Sequence, residues 1–185
     1  TPGAGYRKTD FNVNFTIKDD GPISAVEIHC SRDGLNWETV HTWFFPQQKS
    51  TQTYLYTVRV SDYPSDGSLY IRAVATDAAG NRADDDDAPY VQYVLDRTAP
   101  IVPKNVTAEP RGNANYILWT NDPKGETVSY RVLRAVTEDG EYAEIASGLA
   151  SISFYDRTAQ ADTLYWYQVQ GQDAVGNVSM GSTPV

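Results

Sequence analysis

A five-residue motif occurs twice in this chain of 185, with four of its five positions identical. Asp77-Ala78-Ala79-Gly80-Asn81 returns as Asp173-Ala174-Val175-Gly176-Asn177. Each copy follows a stretch with alternating residues in register: Leu69, Ile71, Ala73 and Ala75 before the first, Tyr165, Tyr167, Val169 and Gly171 before the second. Period-two alternation marks a strand with one buried face, so each copy is a half-buried strand feeding a Gly-Asn turn. Half the chain is room for one small β domain of roughly 100 residues. The chain therefore reads as two domains of one general kind. Between the copies lies Asp96-Arg97-Thr98-Ala99-Pro100, where the proline lacks a ladder donor and biases the residue before it towards an extended conformation. The boundary is placed there, giving domains 1–97 and 98–185.

Phe11, Val13, Phe15 and Ile17 alternate with Asn12, Asn14, Thr16 and Lys18, again a strand with one face inward. Further strands are predicted at 26–30, 37–42, 54–60, 69–75 and 90–95 in the first half. The second half offers 106–109, 116–120, 129–135, 142–146, 153–155, 165–170 and a short 178–180. Turn residues bound each of them. Asp33-Gly34 and Asp139-Gly140 read as hairpin turns, because both residue types tolerate positive φ. Thirteen Tyr, four Trp and five Phe fit strands, and no segment has a helical period. The fold class expected is all-β, two consecutive antiparallel β-sandwiches.

At this point the residues resemble known families. Trp119, Tyr130-Arg131-Val132, Tyr165-x-Tyr167-x-Val169 and the second Asp-Ala-Val-Gly-Asn turn make 101–183 similar to a bacterial fibronectin type III domain. Ser31-Arg32-Asp33-Gly34-x-x-Trp37, Ile71-Arg72-Ala73, the first Asp-Ala-Ala-Gly-Asn turn and the linker make 6–100 resemble the bacterial Ig-like repeats of secreted and surface proteins. Leu69 stands where the second half has Tyr165, so the aligned position lacks a tyrosine corner. The resemblance implies a non-catalytic spacer or presentation segment of a modular extracellular or cell-surface protein, its partners being the neighbouring domains of a longer chain. The abrupt ends, Thr1-Pro2-Gly3 and Thr183-Pro184-Val185, add the expectation of a segment cut from something longer.

Composition narrows the alternatives. Fifteen Lys and Arg against 24 Asp and Glu leave a net charge of -9, which offers no cationic field for nucleic acid or anionic headgroups. One Cys and two His cannot build a disulfide scaffold or the usual zinc cages. No stretch reaches the roughly 20 apolar residues of a membrane span, so no membrane insertion is expected. No Gly-x-Ser-x-Gly, no phosphate-binding glycine loop and no nucleophile and base pair is present, so no enzyme is expected.

Four sets of residues remain. Trp119 and Trp37 are expected in the cores, with the Tyr165 hydroxyl donating to backbone at a strand corner. Cys30 shares the inward parity of Val26 and Ile28, and His29 and His41 are expected on solvated strand positions. Trp43-Phe44-Phe45-Pro46 breaks the alternation, so at least one large ring points outward. Trp43, Phe44 and Phe45 are thus the candidate ligand-binding cluster of the alternative reading, a module that binds carbohydrate or another protein. For metal, the run 84–87 is acidic but reads as a solvated loop. Sandwich topology instead suggests a weak calcium site from Asp96, Asn121, Asp122 and Asp173, with Asp19, Asp20 and Asp77 as the first-domain counterpart. Asp173 also has the simpler role of capping its own turn. No other cofactor is expected.

If each half carries a complete strand set, residues 1–97 and 98–185 expressed separately each unfold in a cooperative thermal transition. Loss of cooperativity in both fragments overturns the boundary.

Overall fold

The alternating segment at the start of the chain extends much further than its apolar period shows. In the computed structural model, which describes residues 5–83 and 88–185, β2 runs unbroken over Phe11–Ser31 and β3 over Glu38–Val58. The two pair antiparallel from Phe11↔Val58 to Cys30↔Glu38. A strand of 21 residues extends about 70 Å at 3.3 Å per residue, longer than one layer of a small domain. The hairpin therefore folds back, and its register breaks between Lys18 and Ile23. There Gly21 N–H donates to Asp19 Oδ1 at 2.8 Å, and Pro22 contributes no donor.

Folding back gives two layers from one hairpin. Val13 and Val58 come from the first half of β2 and the last of β3. They share a core with Ile28 and Cys30 from the other half of β2, and with Leu69, Ile71 and Leu95. Leu69 and Ile71 lie on β4 (Gly67–Asp77), Leu95 on β5 (Tyr90–Leu95), and β1 is Gly5–Arg7. Strand order is β1-β5-β4-β2-β3, with β1 parallel to β5. Residues 43–53, left between the predicted strands 37–42 and 54–60, are thus strand as well. Sequence period alone does not tell a bent strand from a loop, because the inward face changes at the bend. Arg97 closes this unit: its Nε and backbone N–H donate to the Asp66 carboxylate at 2.9 Å, and its Nη2 to Tyr63 O at 2.9 Å.

Residues Thr98–Val185 form the second compact unit. β6 (Lys104–Arg111), β7 (Ala114–Thr120) and β10 (Ser153–Asp156) make one sheet in the order β10-β7-β6. The other contains β8 (Ser129–Ala135), β9 (Ala143–Leu149) and β11 (Trp166–Gln172), in the order β11-β8-β9. Ile117 and Trp119 from the first sheet meet Tyr130, Val132, Tyr167 and Val169 from the second, with Trp119 edge-on to Tyr130 at 5.3 Å. Trp119 sits in the core as expected. Beyond β11 the chain returns along it to Val185. Ser182 N–H donates to Val169 O at 3.0 Å, and Val185 exchanges two backbone bonds with Tyr167. Ser179 and Ser182 are buried, and their hydroxyls accept from Gly171 N–H at 2.9 Å and Val169 N–H at 3.1 Å.

The repeated pentapeptide has the same construction in both units. Asp77 Oδ1 accepts from Asn81 N–H at 2.7 Å and its Oδ2 from Asn81 Nδ2 at 2.7 Å; Asp173 does the same with Asn177 at 2.8 Å. Gly80 and Gly176 have φ of 89° and 87°, which only glycine adopts without strain. Gly140 differs from expectation, since its φ is not in the left-handed region. A Cβ there would lie 2.5 Å from Thr137 Oγ1, so close approach is what requires glycine.

Trp119→Ala is expected to destabilise the second unit by about 3–5 kcal/mol. Phe44→Ala, at a ring 78% exposed, should change the first unit by less than about 0.5 kcal/mol. Urea denaturation of the whole chain, with its two units followed separately by NMR, measures both.

Candidate ligand-binding surfaces

The three rings of Trp43-Phe44-Phe45 alternate along β3 and so divide between its faces. Trp43 and Phe45 are half-buried and pack against the core, both on Tyr54 with ring centroids at 5.4 Å. Phe44 alone is turned outward. His41 is exposed and lies edge-on to Trp43 at 4.4 Å. These rings fill the edge of the sandwich where the two halves of β3 face each other.

His29, expected in solvent, is 5% exposed. Its Nε2 contacts Glu27 Oε2 at 2.9 Å, and Arg82 donates to the same carboxylate at 2.9 Å. The Arg82 and His29 hydrogen bonds bring the Glu27 carboxyl down to about 2. Trp37 is a second correction. It belongs to neither core but stands on the outer face, over the guanidinium of buried Arg72 at 4.1 Å and 6.1 Å from Tyr90. It is placed there by its own hairpin, where Asp33 Oδ1 accepts from Leu35 and Asn36 N–H at 2.8 Å, and Ser31 Oγ accepts from Gly34 N–H at 2.9 Å. Cys30 is buried as its parity requires, beside a pocket of about 330 Å³ that Tyr63 and Glu38 also line. Burial pushes its thiol up, which disfavours a reactive thiolate.

The candidate calcium ligands each have local partners. Asp122 accepts N–H bonds from Lys124 at 2.9 Å, and from Glu126 and Thr127 at 3.0 Å. Burial opposes its ionisation, but those donors outweigh it and hold its carboxyl below the usual range. Asn121 Oδ1 accepts from the Tyr130 hydroxyl at 2.8 Å. Asp173 accepts from Val175 and Asn177 N–H at 2.9 and 2.8 Å, the turn-capping role. Asp96 belongs to the first unit, as do Asp19 and Asp77, and the run 84–87 lies outside the described residues. Among the described residues, no three His, Cys, Asp or Glu gather as a metal-ligand set.

The second unit contains a buried polar hub. Asp156, 1% exposed, accepts from Arg134 Nη1 and the Tyr167 hydroxyl at 2.8 Å and from Thr158 Oγ1 at 2.7 Å. The Tyr167 hydroxyl in turn accepts from Asn115 Nδ2 at 2.8 Å. Tyr167 is thus held at its hydroxyl by side chains. Tyr165 makes the expected corner contact with backbone five residues upstream, although its hydroxyl accepts a long bond from Gln160 N–H rather than donating, and its ring carries the Arg134 guanidinium at 4.4 Å. Near the hub, Tyr116 and Tyr155 face outward from their sheet. A cleft of about 510 Å³ opens at the same end of the unit, lined by Asn113, Gln160 and Asp162 among others.

No family model matches this chain. The FN1–FN3 domains of chicken CNTN1 superpose with a TM-score of 0.57 over 99% of this chain and 60% of that one, at 13% identity. The fold is fibronectin type III-like. An Fn3-like protein from Clostridium thermocellum matches 47% of this chain and 90% of its own, at 27% identity and a TM-score of 0.43. Exoglucanase B of Cellulomonas fimi is 26% identical over 185 residues. That match takes in 96% of this chain, which spans 15% of the length of the exoglucanase.

In fibronectin type III-like sandwiches of this kind, the outward residues of a strand are legible by parity once its inward ones are known. Tyr116 and Leu118 flank Ile117 and Trp119, and that parity was the available signal for the outer tyrosine face. Arg134 had none, because its partner Asp156 lies on a distant strand.

Asp122 and Asp156 both have carboxyl pKa values lowered by folding; for Asp156, burial is outweighed by the hydrogen bonds from Thr158, Tyr167 and Arg134. The stability they contribute is full above the unfolded value near 4 and is lost as pH falls through the folded values. Asp156→Asn is expected to cost the second unit on the order of 2 kcal/mol at pH 7 and to flatten its decline below pH 4. Melts from pH 7 to pH 2 test both.

Proposed function

We propose that the chain is a non-catalytic tandem module of an extracellular, multidomain bacterial protein that acts on polysaccharide, setting the separation of the domains on either side. The observation that carries this reading is the unequal coverage of the exoglucanase match: nearly all of this chain corresponds to a small part of a long enzyme. A tandem of two sandwiches fits such a part. Each unit has its own core, so it holds its shape without borrowing surface from a catalytic domain. No helix among the described residues is long and apolar enough to cross a membrane, and the acidic charge keeps such a module from binding nucleic acid.

The experiment places the chain between a glycoside hydrolase catalytic domain and a cellulose-binding domain and compares the product with a direct fusion. Turnover of a small soluble substrate is expected to be equal in the two, and hydrolysis of insoluble cellulose higher with the spacer. The chain alone is expected to release no reducing sugar. Release of sugar by the chain alone overturns the non-catalytic reading, and equal action on insoluble cellulose overturns the spacer reading.

A further inference from the structure

A spacer has no need of a ligand site, yet one end of the second unit has the chemistry of one. Tyr116 and Tyr155 are cross-strand partners on β7 and β10, with ring centroids 4.6 Å apart and planes tilted by 41°. Leu118, on the same face in the next row, is partly exposed. Arg111 lies 4.1 Å over Tyr116 and Arg157 5.9 Å from Tyr155. Cross-strand pairing accounts for the ring-to-ring contact. It does not account for what lies where these strands end.

There the β6 to β7 turn and the segment after β10 enclose the cleft of about 510 Å³, within the range of about 300–1,000 Å³ for small-molecule sites. Its polar lining includes Asn115 and Thr163, already bonded to Tyr167 and to Ala161 O, and three planar groups: the amides of Asn113 and Gln160 and the carboxylate of Asp162. Among the described residues none of these three side chains has a hydrogen-bond partner. Amides and carboxylates can each engage two neighbouring hydroxyls, while tyrosine rings offer flat apolar surface to the C–H face of a pyranose. Charge narrows the class further. Arg111 and Arg157 are balanced by Glu109, 3.7 Å from Arg111, and by Asp162, so the site has no net sign. The chain's net charge of -9 repels acidic polymers.

We propose that this end of the second unit binds a neutral glycan of extended, equatorially linked pyranose rings. One ring rests on Tyr155, which is 43% exposed, beside the Arg111 guanidinium that covers Tyr116, and the adjoining sugar enters the cleft between Asn113 and Gln160. The surface is open and leaves the ligand half in water, so binding is weak, with Kd roughly millimolar.

The test uses the whole chain, with cellohexaose, xylohexaose and mannohexaose followed by NMR titration, and polygalacturonate as the acidic comparison. At least one neutral hexasaccharide is expected to shift the resonances of Tyr116, Tyr155, Asn113 and Gln160. The double substitution Tyr116→Ala with Tyr155→Ala should weaken binding about tenfold, while Tyr155→Phe, which keeps the ring, should hold it within about twofold. Gln160→Ala, at an exposed cleft position, should weaken it about threefold without lowering the melting temperature. Phe44→Ala should leave binding unchanged. No shift with any neutral hexasaccharide at about 10 mM, shifts confined to the Phe44 face, or binding of polygalacturonate alone would each overturn the proposal. All three outcomes leave the spacer reading intact, since that is measured by hydrolysis in the fusion.

Discussion

Hydrogen bonding along a strand places successive side chains on opposite faces, and each unit here depends on burying one of those faces twice over. The second unit does so with two separate sheets, and Ile117 and Trp119 meet Val132 and Val169 between them. The first unit reaches the same end with a single folded hairpin. Because β2 and β3 continue through the bend, the backbone ladder passes from one layer to the other, and Val13 comes to lie against Ile28 of its own strand. Burial of aliphatic and aromatic side chains, at about 1.5–3 kcal/mol for each Val, Leu or Ile, is what holds either arrangement against chain entropy. The polar bonds choose which arrangement forms.

That choice is made at a few turns. The paired Asp and Asn of the repeated pentapeptide tie the end of one strand to the start of the return segment, and Asp33 does the same for the Ser31 to Trp37 hairpin. Each puts an ionised carboxylate where backbone N–H groups would otherwise be unpaired. Asp156 applies the same chemistry in the interior. Its bonds to Arg134, Tyr167 and Thr158 join both sheets of the second unit, so one protonation loosens several contacts together.

The architecture was legible because its signal is local. Alternation at 11–17 and around Trp119, and the duplicated turn, each lie within a few residues and each depend on one physical rule. What escaped was non-local. Whether 43–53 is loop or strand depends on a partner strand some 30 residues away. Tyr165 and Tyr167 share a parity, and only the position of Asp156 decides which hydroxyl is buried. His29 looks like a solvated position until Arg82 closes over it. The outer tyrosine face was present in the sequence as parity, but nothing in the sequence indicates that the cleft lies beside it.

The parallel pairing of β1 with β5 has a mechanical consequence. These are the first and last strands of their unit, joined through Gly5↔Tyr93, Tyr6↔Val94 and Arg7↔Leu95 and by Asp96 N–H to Arg7 O at 2.9 Å. Tension applied through the two ends of that unit pulls these neighbours in opposite directions along their common axis. The bonds between them are then sheared as a group and share the force, whereas an antiparallel terminal hairpin would open like a zipper, one bond at a time. A unit built this way yields late under tension, and then all at once rather than bond by bond.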